Sequence, residues 1–290
     1  MELFSYLLGK NSSSPTPTPP TPPDYSSIGR PAITNAPISQ YWPSAVNKLY
    51  IYSIPVSTVS FTDFTGEEII FDEDFADTST YAAFDFKNCA NLKRVVNLSI
   101  KNSISTITFA EMFKNCSNLE KVTFGEVNIA NLSNMGGICG NSNTKLKEFD
   151  ASSWNATTVS AGVDLGWSFY VASAIKKVDL SGITGKISTL RQAFQECREL
   201  EEINLANFTN ITQYNGYAAF YFCTSLKKLD IRNLALHELT DYTAMFGYGA
   251  DTGLPADCLI IVKDATEKAW INTNFAWLTN VQTVSEYENN

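Results

Sequence analysis

The chain repeats itself roughly every 26 residues, and that period restricts it to folds built by stacking one unit on the next. The unit reads Phe-x-x-Cys-x-x-Leu-x-x-Val-x-Phe/Leu. One copy carries Phe86, Cys89, Leu92 and Val95; the next carries Phe113, Cys116, Leu119, Val122 and Phe124. A degenerate copy holds Leu146, Phe149 and Ala151, with Gly140 where the Phe belongs. Phe169, Ala172, Ile175, Val178 and Leu180 come next, then Phe194, Cys197, Leu200, Ile203 and Leu205, then Phe220, Cys223, Leu226, Leu229 and Ile231. From Leu92 to Leu226 the anchors step by 27, 27, 29, 25 and 26 residues, and a half-copy starts at Met245-Phe246.

Each copy parses physically. The Leu-x-x-Val-x-Leu part alternates with period two, which makes a short strand with one face inward. Stretches such as Ala110–Phe113 and Leu190–Phe194 read as one helical turn on the opposite wall. Phe and Cys fill the interior between the walls, and no copy buries them alone. The spacing therefore predicts a solenoid of about six 25–29-residue repeats over 81–250. Residues 25–80, with strands at 49–59 and 68–71, form irregular first layers. Residues 251–290 form a strand–helix cap: a strand from Cys258 to Val262, then a capping box of Asp264 and Glu267 opening a helix through about Ile271, with Trp270, Phe275 and Trp277 over the last layer.

Met112-Phe113-Lys114-Asn115-Cys116-Ser117-Asn118-Leu119-Glu120-Lys121-Val122-Thr123-Phe124 resembles the repeat of BspA-type leucine-rich-repeat proteins. The resemblance runs over roughly residues 80–285 and includes the Trp-bearing tail. It implies an α/β repeat with short parallel strands and a binding role, as in bacterial surface adhesins. The third copy departs from the pattern, and a bulged, exposed loop is expected over 136–143.

The amino terminus differs from that of exported adhesins. Residues 1–10 are a brief apolar stretch without the basic start or cleavage site of a secretion signal. Residues 11–24 hold six of the eleven prolines in a Pro/Thr-rich linker, a semi-rigid spacer. That organisation is similar to tail-associated proteins of bacteriophages and prophages. It implies a docking peptide at 1–10 that attaches the chain to a scaffold, and placement on a virion or extracellular surface; the alternatives are a bacterial cell-surface adhesin and a cytoplasmic protein. A formal charge of -9 argues against nucleic acid, and no apolar run is long enough to span a membrane.

Sites for chemistry are sparse. The one histidine, His237, rules out chemistry that needs paired imidazoles and sits in no nucleophile motif. Four cysteines share one interior slot that Ala172 also fills, which indicates buried structural thiols. Gly182-Ile183-Thr184-Gly185-Lys186 has the wrong spacing for a phosphate loop and reads as a turn. Glu67, Glu68, Asp72, Glu73, Asp74 and Asp77 form an acidic stretch better read as a solvated face than as a calcium loop. Outward positions Arg94, Lys121, Glu148, Lys177, Glu202 and Lys228 alternate in sign from Lys121 onward. The next outward positions are Val96, Thr123, Asp150, Asp179, Asn204 and Asp230. No catalytic residue, metal ligand or cofactor is assigned. The binding candidates are aromatics outside the repeat slots: Trp154, Trp167, Tyr170, Tyr214, Tyr217, Tyr242 and Tyr248, with Tyr221 beside them. About half of these are expected to be exposed, facing a host or bacterial surface protein or glycan.

Overall fold

The computed structural model describes residues 3–5, 47–54, 58–62, 64–77, 83–102, 106–141 and 143–289. The linker at 11–24 lies outside the described residues, as does most of the docking segment; Leu3–Ser5 forms a strand beside Leu49–Ile51. Every strand pairing among the described residues is parallel, and the chain winds as a stacked series of about six turns matching the expected solenoid. A ten-stranded sheet, bent across two adjoining walls, has as its main strands Lys48–Ile54, Glu68–Asp77, Arg94–Asn102, Lys121–Asn134, Asn155–Thr158 and Ile183–Thr189. A six-stranded sheet of Glu148–Asp150, Lys177–Asp179, Glu202–Asn204, Lys228–Asp230, Leu259–Val262 and Val281–Thr283 carries on the wall begun by the first residues of Glu68–Asp77, Arg94–Asn102 and Lys121–Asn134, while Asn155–Thr158 and Ile183–Thr189 carry on the adjoining wall.

The change from long to short strands is written in one outward position. Asp150, Asp179 and Asn204 each turn the chain by accepting, on Oδ1, the N–H two residues on: Ser152 at 2.9 Å, Ser181 at 3.0 Å and Ala206 at 2.9 Å. This is the Asx-turn, a local bond that competes with the ladder. The first two copies have Val96 and Thr123 there, and their strands run on to Asn102 and Asn134. A second corner uses the same device in every layer. Asn134, Asp164, Asn215 and Asp241 accept from the residue two ahead through Oδ1, and Thr108 and Thr189 do so through Oγ1.

The third wall is not helical, as the sequence suggested it would be. In the layer of Phe113 the N–H groups of Met112, Lys114 and Cys116 close turns onto Phe109, Glu111 and Phe113, while those of Glu111 and Phe113 donate to Gly136 and Ile138 one layer on. Half the amides thus serve the stack, which an α-helix cannot allow because it uses them all internally. The alternation forces positive φ twice per layer, at Glu111, Gly137, Trp167, Gln192, Ala218 and Ala244, and again at Asn115, Asn141, Val171, Glu196 and Phe222.

Between the walls runs a file of phenylalanine rings. Phe61, Phe86 and Phe113 stack at centroid distances of 4.8 and 5.1 Å, and Phe169, Phe194, Phe220 and Phe246 at 5.5, 5.4 and 5.8 Å. Such pairs add about 0.5–1.5 kcal/mol each beyond area burial. Beside the file, each slot cysteine donates its thiol to the carbonyl of the ring residue one layer earlier. Cys89 reaches Phe61 at 2.9 Å, Cys116 reaches Phe86 at 3.0 Å, Cys197 reaches Phe169 at 3.1 Å and Cys223 reaches Phe194 at 3.0 Å.

The third copy corrects the expectation of an exposed loop. Cys139, not Gly140, occupies the ring position, because its N–H donates to Ser168 as that of Phe113 donates to Ile138. Asn143 takes the cysteine slot and donates Nδ2 to the Phe113 carbonyl at 2.8 Å. Ile138, Cys139, Gly140 and Asn143 are buried. Gly140 is required for close approach, since a Cβ there falls 2.5 Å from the Trp167 carbonyl. Where the file is broken, Phe149 fills in, edge-on to Phe169 at 5.2 Å and to Phe124 at 5.3 Å.

The carboxyl cap is the helix Ala265–Asn274, longer than expected, followed by a strand at Val281–Thr283 and a short helix at Val284–Glu288 that the sequence reading omitted. Phe275 closes the ring file 4.8 Å from Phe246, with Trp270 and Trp277 against it. Asp264 caps the helix by accepting from Thr266 and Glu267, but Glu267 does not complete the box. Its carboxylate is buried and accepts from the N–H groups of Leu236 (2.9 Å) and His237 (3.1 Å) and pairs with the His237 ring. The complete capping box is that of Thr283 and Glu286.

Candidate functional site

The three walls offer unequal surfaces. On the six-stranded sheet the outward charges are matched across the ladder: Lys177 lies 3.6 Å from Glu148, and Lys228 lies 3.4 Å from Glu202. The acidic stretch is likewise paired where it is described, with Glu67 2.7 Å from Lys93 and Glu68 3.2 Å from Arg94. These exposed pairs are worth little in stability, but they leave the faces electrically closed. Asp150, Asp179, Asn204 and Asp230 are committed to turns, or to Arg232 in the last case, so this row is structural. Gly182 marks a close approach before the strand Ile183–Thr189, with a Cβ there 2.2 Å from the Ala151 carbonyl; Lys186 belongs to that strand, not to a turn.

The turn wall differs between its halves. In the early layers it carries a compact ion network in which Glu111 pairs with Lys114 and, at 2.7 Å, with Lys87. The Glu111 carboxyl is held below its usual range by the hydrogen bonds from Lys114 and Lys87. In the later layers some equivalent positions are aromatic, Trp167 in place of Glu111 and Tyr170 and Tyr221 in place of Lys114. Trp167 is 41% exposed although it holds a left-handed backbone (φ 56°), a conformation that costs an ordinary residue about 1–2 kcal/mol and that Gly137 supplies one layer earlier. The same left-handed turn is held by Glu111, Gln192, Ala218 and Ala244, so it belongs to the fold; what sets Trp167 apart is its exposed ring.

Arg191 stands one layer on. Its guanidinium lies 5.4 Å from the Trp167 ring centroid and 5.1 Å from that of Tyr217, so three successive layers contribute a ring, a cation and a ring. The Trp167 ring is held by its Nε1–H, which donates to Gln192 Oε1 at 3.0 Å, and Gln192 in turn donates to Gln195 at 2.7 Å. Farther along the wall Arg198 lies over Phe222 at 4.4 Å and pairs with Glu196, and Tyr221 touches Phe222 and Tyr248. Tyr248 is 70% exposed.

The sequence candidates sort accordingly. Trp167 and Tyr217 are brought together through Arg191; half-buried Tyr170 shares their wall, and Tyr248 joins Tyr221 at its far end. Tyr214 is 42% exposed beside the Asn215 corner, apart from the cluster. Two require correction. Trp154 is 5% exposed and packs edge-on to Phe109, Phe124 and Phe149, so it belongs to the core. Tyr242 packs on Trp270 and Phe275 and donates to Asn274 at 3.3 Å, so it belongs to the cap. Arg191, Gln192, Arg198 and Phe222 escaped notice because none breaks the repeat and their ring contacts come from the turn wall's folded geometry.

A family model described as BspA type leucine rich repeat region matches residues 51–163 and 165–247 in six copies, about two thirds of the chain. No curated protein matches. Among the described residues no helix is long and apolar enough to cross a membrane.

Proposed function

This chain belongs to the BspA-type leucine-rich-repeat family, and from that premise we propose that it is a non-enzymatic recognition protein whose turn wall binds a protein or glycan of a host or bacterial envelope. Repeats of this kind are protein-interaction or adhesion modules. The observation that carries the finer reading is the Trp167–Arg191–Tyr217 stack, side chains of the type that dominates binding energies, with the Trp167 ring exposed. A tail-associated role in a phage or prophage, on a virion or extracellular surface, is the fuller form of the proposal. There residues 1–10 attach the body to a scaffold through the Pro/Thr-rich spacer, extending or replacing the pairing of Leu3–Ser5 with Leu49–Ile51.

Two experiments test this. Labelled full-length protein is mixed with intact bacterial cells of candidate hosts, with and without protease treatment or competing envelope sugars; saturable binding supports the reading, and its absence on every strain contradicts it. Removal of residues 1–23 is expected to abolish association with particles while leaving cell binding unchanged. Particle association that survives the deletion refutes the attachment role.

A further inference from the structure

We infer that the Trp167–Arg191–Tyr217 cluster is a carboxylate-binding site, taking an Asp or Glu side chain from an extended acidic segment of a protein partner. The inference deepens the recognition role proposed above and rests on it.

The first observation is an imbalance. Of the four described arginines, Arg94, Arg198 and Arg232 each pair with a carboxylate of this chain, at 3.2, 3.2 and 2.7 Å. Arg191 pairs with none among the described residues, and its Nε is buried without a hydrogen-bond acceptor. In a chain of net charge -9 an unmatched guanidinium is a specific local feature.

The second observation is geometric. A guanidinium carries its five N–H donors in its own plane. The rings of Trp167 and Tyr217 flank the Arg191 guanidinium carbon at 5.4 and 5.1 Å, and its Nη donors are the groups left to a partner. The acceptor that matches those donors is planar, anionic and two-pronged, which describes a carboxylate. The bonds from Trp167 to Gln192 and from Gln192 to Gln195 fix the flanking ring beforehand, so little freedom is lost on binding.

The partner follows from the surroundings. Trp167 and Tyr217 each give one ring face to Arg191, which leaves at most the opposite faces for a sugar ring. The wall continues past Arg191 as Tyr221, Phe222 and Tyr248, with Arg198 neutralised by Glu196. An apolar strip beside one free cation suits a peptide segment with an acidic residue among apolar ones.

The test uses the full chain and three probes: a capped hexaglutamate peptide, a capped hexaglutamine peptide and an oligomer of glucuronic acid. Binding is read from tryptophan fluorescence and from the Arg191 Nε–H resonance. Hexaglutamate is expected to shift that resonance saturably and hexaglutamine to leave it in place. Arg191→Gln is expected to weaken hexaglutamate binding about tenfold or more, and Arg191→Lys to fall between, because lysine keeps the charge and loses the fork. Thermal melts of both variants matching the wild type show that the surface alone has changed. Absence of saturation with hexaglutamate, or equal binding by Arg191→Gln, overturns the site. Arg191-dependent binding of the glucuronate oligomer tighter than that of the peptide overturns the partner and makes it an acidic glycan. If Arg191→Gln binds cells as well as wild type, the site fails and the recognition role stands; if wild type binds no cells, the role itself fails.

Discussion

Asn143 is the sharpest place to perturb the interior. It stands where four other layers use cysteine, and its Nδ2–H donates to the Phe113 carbonyl at 2.8 Å. That carbonyl also receives the N–H of Cys116 at 3.2 Å, so Asn143 supplies its second donor. Losing one such bond costs about 1 kcal/mol. Truncation to alanine also leaves a void larger than a methyl group, worth about another 1 kcal/mol. Against this, Asn143 Oδ1 is buried with no partner among the described residues, and either Asn143→Ala or Asn143→Cys relieves that penalty. The difference between the two variants is therefore free of the oxygen and reports the thiol bond and the filled space together. Asn143→Cys is expected to be at least as stable as wild type, and Asn143→Ala about 2 kcal/mol below Asn143→Cys. At this chain length that gap corresponds to roughly 3 °C in melting temperature. Differential scanning calorimetry of the three proteins, compared on the same transition because stacked layers need not unfold together, provides the reading. Asn143→Ala as stable as Asn143→Cys refutes the claim that the slot works by donating to the carbonyl one layer back.

Other outcomes follow from the same geometry. The His237 ring pairs with buried Glu267, and this bond foremost raises its pKa above the ordinary value. Its stabilising contribution is complete below about pH 6.5, the unfolded value, and is lost as pH rises through the raised folded value. As the single histidine, its NMR resonance is expected to titrate above 6.5 and Asn or Gln at 237 to remove that pH dependence; titration at or below 6.5 contradicts the pairing. All six cysteines are buried and unbridged, and burial holds the thiols of Cys139, Cys197, Cys223 and Cys258 well above their usual range. A thiol reagent at pH 8 is expected to label the native chain negligibly and all six after denaturation; rapid labelling of the native form argues against the interior slot. Gly182→Ala places a Cβ 2.2 Å from the Ala151 carbonyl and is expected to lower stability by about 1–3 kcal/mol in denaturant titration, where an unchanged midpoint speaks against the close approach.

The fold was legible because burial leaves a periodic trace. Phe113, Cys116, Leu119 and Val122 recur because every layer has to fill the same interior, and that recurrence needs no coordinates. The turn wall was misread because Ala110–Phe113 has helical composition while its amides are divided between turns and the stack, a division set by the neighbouring layer. The third copy misled for a related reason: one extra residue between Cys139 and Asn143 moves the ring slot off the sequence ruler, and only the register to Ser168 restores it. The candidate surface was half legible. Trp167 and Tyr217 stood out as large residues outside the repeat, and Trp154 and Tyr242 stood out for the same reason although one fills the core and the other the cap. Arg191 gave no signal, since its role depends on rings in the layers before and after it.

Recognition by the later half of the turn wall, as proposed, is tested most directly by one comparison. Binding of the full chain to intact cells is measured for wild type, for a wall variant carrying Trp167→Ala, Arg191→Gln and Tyr217→Ala, and for a sheet variant carrying Lys177→Gln and Glu202→Gln. The wall variant is expected to lose binding while the sheet variant keeps it, both folded by circular dichroism. Binding retained by the wall variant and lost by the sheet variant contradicts the proposed placement.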